Sequence, residues 1–200
     1  NENLELEGLH THIGTYMLSA NAYKVAASKL ADLAVNLKSK YDHTISYIDM
    51  GGGFASGNTL KGAYLPGYET IPSIENYADA ITSALLSSAI NKENLPLLIL
   101  ETGRALIDDA GYLAGTILAN KRLSDGRRAT IADVGVNLLF TSFWYEHEIM
   151  PAQPVSSQTE ESTIFGPLCM NIDVLREAIN FPIMKKGDRF VIRRIGAYNM

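Results

Sequence analysis

The stretch Ile45-Ser46-Tyr47-Ile48-Asp49-Met50-Gly51-Gly52-Gly53-Phe54 runs from an apolar segment straight into three glycines. The pattern predicts a buried strand over 45–50 that empties into a loop of bare backbone. Without side chains, three successive N–H groups can approach one ligand, and such concavities favour anions, above all phosphate. For a lone glycine triplet the bland reading is a flexible turn between strand and helix. Two other strand-like runs of this chain also end in chemically capable residues, which shifts the weight toward a site.

On the N-terminal side, Leu4 to Thr15 alternates as a strand does. His10 and His12, two apart, therefore share a face, and Gly14-Thr15 opens a loop. From Ala20 to about Lys40 small and apolar residues (Val25, Leu30, Leu33, Leu37) fall at helical spacing, with lysines clustered near the end. On the C-terminal side, Gly57 to Thr70 is a long Gly/Pro/Tyr-containing loop. Ser73 is an N-cap for a helix to about Ile90. Leu95 to Leu100 reads as a third buried strand, ending in Glu101-Thr102-Gly103-Arg104. Strand, helix, strand, helix, strand implies parallel strands with right-handed crossovers. In a barrel of such units the strand exits carry the active site, and a doubly wound open sheet obeys a similar rule.

After Arg104 the pattern changes. Tyr112 to Leu123 and Arg128 to Asp133 read as strands joined by the turn Ser124-Asp125-Gly126. A loop over 150–162, Gly166-Pro167-Leu168-Cys169, a short helix around Val174, the turn Lys185-Lys186-Gly187-Asp188 and a last strand over 190–195 complete a mostly-β domain. The expected division is 1–107 for the α/β part and 108–200 for the β part.

The chain of 200 residues is 46% hydrophobic and 20% charged, which suits one or two globular domains with a sizeable core. A net charge of −5 offers no basic patch for nucleic acid and disfavours an anionic membrane surface. No apolar run approaches the ~20 residues of a membrane span, and with the polar opening Asn1-Glu2-Asn3 no signal peptide is expected. The single cysteine, Cys169, excludes an internal disulfide and fits a reducing cytoplasm. The absence of an initiator Met and the strand-like segments at both ends are expected of a piece of something longer.

Several residues could carry chemistry. H-x-H on a barrel strand can ligate a metal, face a cofactor, or be a satisfied strand histidine; with only His43 and His147 left, converging ligands are few. Glu101 ends an apolar run, where a carboxylate is either functional or half of an ion pair with Arg104. Arg104 beside Gly103 could clamp an anion. Cys169 in a loop has room to react, whereas most lone cysteines are inert. Tyr198 could present a phenol to phosphate, with a core tyrosine as the bland reading. Lys24, on a helix, reads as solvent-facing rather than as a Schiff-base lysine.

Five motifs in order resemble the fold-type III pyridoxal-phosphate decarboxylases, the ornithine/diaminopimelate/arginine decarboxylase family. They are Gly8-Leu9-His10-Thr11-His12-Ile13-Gly14-Thr15, Asp49-Met50-Gly51-Gly52-Gly53-Phe54, Glu101-Thr102-Gly103-Arg104, Gly166-Pro167-Leu168-Cys169 with Asp173, and Gly196-Ala197-Tyr198. The diaminopimelate branch, which serves lysine biosynthesis, is nearest in wording. The resemblance implies the C-terminal half of an alanine-racemase-like TIM barrel, followed by a mostly-β domain truncated at its C-terminus. It implies pyridoxal 5'-phosphate as cofactor, an amino-acid substrate and a cytoplasmic homodimer with shared active sites. His12 would stack on the pyridine ring. Thr15, Gly51, Gly52, Gly53, Gly103, Arg104 and Tyr198 would hold the phosphate, and Glu101 would pair with the ring nitrogen. Cys169 would reprotonate the substrate carbon from the partner subunit, and Asp173 and Tyr145 would contact substrate. No metal is implied.

The chain departs from the family's pattern in four places. The Schiff-base lysine lies on an earlier barrel strand and is absent here, so the chain alone is expected to be inactive. Thr102 stands for the usual proline and Thr15 for the usual serine. Met170 replaces an acidic residue after the cysteine. Phe140-Thr141-Ser142 stands where diaminopimelate enzymes carry an arginine for a substrate carboxylate. Loss of both polar contacts argues for another amino acid, or one tethered to a carrier protein. Two other classes stay open: a non-catalytic homologue acting as a binding partner, and a metal-dependent barrel hydrolase using His10 and His12.

Overall fold

The computed structural model describes residues 3–199; Asn1 and Glu2, with which the chain opens, and Met200 lie outside the described residues. Two compact units emerge: one of the residues up to Ala55 with Thr70–Ala105, the other of Ser56–Glu69 with the residues from Leu106 onward. The division is thus discontinuous, with 56–69 grouped with the residues from Leu106 onward, where the change of pattern after Arg104 suggests one boundary at 107/108. The Gly57–Thr70 loop belongs largely to the second unit because it hydrogen-bonds there. Lys61 N–H donates to Trp144 O at 2.8 Å, and Glu146 N–H donates to Thr59 O at 2.8 Å.

In the first unit three short strands, β1 (Gly8–His10), β2 (Tyr47–Asp49) and β3 (Leu97–Ile99), pair in parallel in the order β1-β2-β3. The register sets His10 opposite Asp49 and Asp49 opposite Ile99, so all three strands exit at one level. The alternation over 4–15 yields a strand only at 8–10, because the ladder extends only where β2 offers paired backbone groups. Contrary to the reading of a buried third strand, Leu97 is 67% exposed. β3 is an edge strand whose outer side no described residue pairs.

The crossovers are helices α1 (Ala20–Tyr41) and α3 (Ile74–Ser87), with the single turn α2 (Gly67–Thr70) between them in sequence. α1 buries Tyr23, Ala27, Ala31 and Ala34, a stripe at helical spacing whose small side chains let it approach the sheet closely. It ends at Asp42, whose left-handed φ of 51° returns its N–H to the Leu37 and Lys38 carbonyls. Lys24 is exposed, as read from the sequence. α3 starts with a reciprocal capping box between Ser73 and Asn76 and buries Tyr77, Ile81 and Ala84. The core joins these faces to Ile48, Met50 and Phe54. Tyr23 stacks on Phe54 at 4.6 Å between ring centroids, and Tyr77 meets both rings edge-on.

The second unit is a six-stranded sheet in the order β6-β9-β4-β5-β7-β8. Its strands are β4 (Tyr112–Arg122), β5 (Arg128–Ala132), β6 (Ile149–Pro151), β7 (Thr159–Phe165), β8 (Val174–Pro182) and β9 (Arg189–Arg193). The Ser124–Gly126 turn and the Lys185–Asp188 turn stand where expected. The helix expected around Val174 is instead the start of β8. Leu-Arg-Glu-Ala favours helix locally, but the nine-residue strand pairs antiparallel with β7 and buries Leu175 and Phe181 in the core. Long-range pairing overrides a propensity difference of well under ~1 kcal/mol per residue.

The Tyr23 hydroxyl donates to Gly52 O at 2.7 Å. Burial, with Tyr77 beside it, pushes its pKa well above the ordinary value, so it stays a donor. Tyr23→Phe leaves that buried carbonyl without its partner. The expected loss is roughly 1–2 kcal/mol in urea unfolding of the full-length protein, with an unchanged m-value.

Candidate active site

At the three strand exits, backbone packs against backbone. A Cβ on Gly51 would stand 2.5 Å from Thr11 O, one on Gly52 2.7 Å from Glu101 O, and one on Gly53 2.0 Å from Gly14 O. Gly51 and Gly53 also hold φ of 65° and 90°. The triplet is therefore a seam that draws the exits of β1 and β3 onto that of β2. Hydrogen bonds close it: Glu101 N–H to Gly51 O at 2.9 Å and Met17 N–H to Gly53 O at 2.8 Å.

This corrects the idea of three N–H groups converging on one anion. Gly51 N–H donates to Asp49 Oδ1 at 2.8 Å, and Gly52 N–H to His12 Nδ1 at 3.3 Å. Only the Gly53 N–H makes no hydrogen bond among the described residues. Because His12 Nδ1 accepts, the neutral ring carries its proton on Nε2. His10 faces elsewhere: its Nδ1 lies 2.9 Å from Asp49 Oδ2. The two histidines thus have separate partners and do not form a metal pair. A different group, His10, Asp49 and Glu101, brings one ligand atom of each within 4.8 Å of the others.

Glu101 is exposed, and its carboxylate makes no hydrogen bond or ion pair among the described residues, Arg104 included. The Arg104 guanidinium lies over the Tyr16 ring at 5.8 Å. Gly103 has open space where a Cβ would be, and His12 and Thr15 are exposed. A spare backbone N–H, a hydroxyl, a guanidinium and an unspent carboxylate, on neighbouring strand exits, fit a phosphate-bearing cationic heterocycle.

In the second unit, Cys169 is exposed in the loop joining β7 to β8. Asp173 and Tyr145, expected as substrate contacts, are both buried. Asp173 is 1% exposed with both carboxylate oxygens taken by backbone N–H groups. Tyr145 is 3% exposed and packs edge-on against His147 at 6.0 Å. Tyr198 is 70% exposed. Its turn depends on a residue no local pattern marks, the buried Asp108. That carboxylate accepts from Ala197 N–H at 3.1 Å, from Asn58 Nδ2 at 2.8 Å and from Ser56 Oγ. Asp49, which heads its motif without an assigned role, caps the glycine turn through Gly51 N–H.

The chain belongs to the pyridoxal-dependent decarboxylases: the family described as "Pyridoxal-dependent decarboxylase, C-terminal sheet domain" matches residues 16–196. Its relatives include diaminopimelate decarboxylases. The protein from Archaeoglobus fulgidus is 30% identical over 195 residues, covering 96% of this chain and 44% of the relative. That from Zymomonas mobilis is 30% identical, covering 98% and 44%. The structure of the M. jannaschii diaminopimelate decarboxylase with L-lysine superposes with a TM-score of 0.83 at 29% identity, covering 96% of this chain and 42% of that one. The chain thus spans less than half the length of these relatives. Its fold is that of fold-type III decarboxylases, part of an alanine-racemase-like barrel and a sheet domain. No helix among the described residues is long and apolar enough to cross a membrane.

Gly53→Ala meets both the Gly14 carbonyl and a forbidden φ. The expected destabilisation is roughly 2–4 kcal/mol by denaturant unfolding. Gly103→Ala, with nothing within 4 Å of the added methyl, should stay within about 1 kcal/mol of the parent.

Proposed function

We propose that this chain is part of a pyridoxal-phosphate-dependent enzyme that decarboxylates an amino acid. The observation that carries this reading is Glu101, an exposed carboxylate without a protein partner, set beside the glycine seam on the loop that continues into Arg104. When bound, pyridoxal phosphate supplies a ring that accepts the electron pair left as CO2 departs. Glu101 holds a proton on the ring nitrogen, which makes that acceptance favourable. His12, oriented through Nδ1 by Gly52 N–H, offers its face to the ring. Gly53 N–H, the Gly103 segment, the Thr15 hydroxyl and Arg104 hold the phosphate, and the resemblance adds the Tyr198 hydroxyl. The covalent link comes from a lysine outside this chain.

Cys169 returns a proton to the substrate carbon of the partner subunit in a homodimer. In support, its neighbours Leu168, Met170 and Ile172 are 38%, 51% and 45% exposed, a surface suited to being covered. The substrate's distal end is uncharged or tethered to a carrier protein. Met170 and Phe140 replace two charged contacts, and Phe140 sits edge-on to Trp144 at 4.9 Å in an exposed aromatic group. A cytoplasmic location is part of the same reading. The His10–Asp49–Glu101 group favours a second reading, a transition-metal site, which bound zinc in elemental analysis of the purified protein would support.

The full-length protein with saturating cofactor should show visible absorbance that borohydride bleaches; a colourless protein favours the non-catalytic homologue. Glu101→Gln should lower CO2 release about 100-fold or more while cofactor affinity changes little. Equal loss of both marks a merely structural carboxylate. Assays with free diaminopimelate, lysine and ornithine against carrier-tethered aminoacyl groups identify the substrate class.

A further inference from the structure

The Cys169 loop has almost no apolar anchorage of its own, since Leu168, Met170 and Ile172 all face outward. What holds it is one side chain that points inward. Asp173 closes the β7–β8 loop, and its carboxylate lies inside it. Oδ2 accepts the Leu168 N–H at 2.7 Å, and Oδ1 accepts the Val136 N–H at 2.8 Å. The Asp173 backbone adds two bonds: its carbonyl accepts Gly166 N–H at 2.9 Å and its N–H donates to Met170 O at 3.1 Å. The residues on either side of Cys169 are therefore both fastened to Asp173. The room for the carboxylate comes from two glycines. A Cβ on Gly166 would stand 2.2 Å from Oδ1, and one on Gly135 2.4 Å from it.

We propose that Asp173 is a positioning residue that fixes the Cys169 thiol for proton delivery, and that Gly135 and Gly166 are glycines to admit its carboxylate. The proposal rests on the decarboxylase reading above. In the step concerned, the Cys169 S–H bond breaks and a C–H bond forms at the carbon that lost CO2. The electron pair stays on sulfur as thiolate, and a proton taken up from bulk solvent restores the thiol. An amide of the same shape would set its own N–H2 against one of the two backbone donors.

The test uses the full-length holoenzyme. Asp173→Asn should lower kcat about 10- to 100-fold, with KM within about twofold. In D2O the parent should place deuterium at the product carbon with one stereochemistry, and the variant should give both. Peptide-resolved alkylation of Cys169 should be faster in the variant, while far-UV circular dichroism is unchanged. Gly166→Ala, which crowds the carboxylate without removing it, should behave alike. If neither variant folds, hydrogen exchange on the parent decides. Leu168 and Val136 amides as protected as those of β7 support the proposal, and amides exchanging at the unprotected rate overturn it. Unchanged kcat, stereochemistry and alkylation in Asp173→Asn also overturn it. If the parent releases no CO2 from any amino acid, the decarboxylase reading fails instead, and exchange and alkylation still decide whether Asp173 holds the loop.

Discussion

A methyl group on Gly53 would lie 2.0 Å from the Gly14 carbonyl oxygen, and the packing of the three strand exits of the first unit depends on that approach. Three β/α exits are otherwise separate loops. Removing side chains at positions 51 to 53 lets main chain touch main chain, so that Thr11, Gly14 and Glu101 all close on one segment. Tyr23 then reaches from α1 to hold the middle glycine from the core side. The seam packs His12 against Gly51 and Glu101 against Gly52; His12 Nδ1 is held by Gly52 N–H, while the Glu101 carboxylate has no partner among the described residues.

Buried or half-buried aspartates recur as the means of holding loops. Asp49 joins the first glycine N–H to His10, Asp108 holds the turn before Tyr198, and Asp173 fastens both neighbours of Cys169. A carboxylate can accept several N–H bonds at once, and each charge-assisted bond is worth about 1.5–3 kcal/mol. The same bonds repay the cost of taking the charge out of water. Loops so held keep their functional side chains outside and their anchors inside. Residues of similar chemistry, such as Glu101 and Asp173, therefore take opposite roles.

That division explains which parts of the site were readable. Glu101, His12 and Cys169 stand at strand ends or in loops with exposed side chains, and Arg104 is half-buried on the segment that follows Glu101. Asp173, within the cysteine motif, and Tyr145, outside the five motifs, are expected to contact substrate, and both side chains are buried. Asp108 escaped notice because its partners, Ser56, Asn58 and Ala197, lie ~50 to ~90 residues away, and no window of sequence contains them. Val174 to Pro182 misled for a related reason: a helix-favouring tetrapeptide was claimed by a distant strand.

By itself the sequence determined the order of strands and helices in the α/β part, the Ser73 cap of α3, the β character of the rest and the motifs that place the chain in its family. Those features depend on local periodicity, turn chemistry and residue type, which a linear text carries. Tertiary structure alone decided which glycine N–H stays unspent, which carboxylates face inward and where the 56–69 segment belongs. Each of these is an allocation of hydrogen-bond partners and burial among residues far apart in the chain, and only the folded backbone settles it.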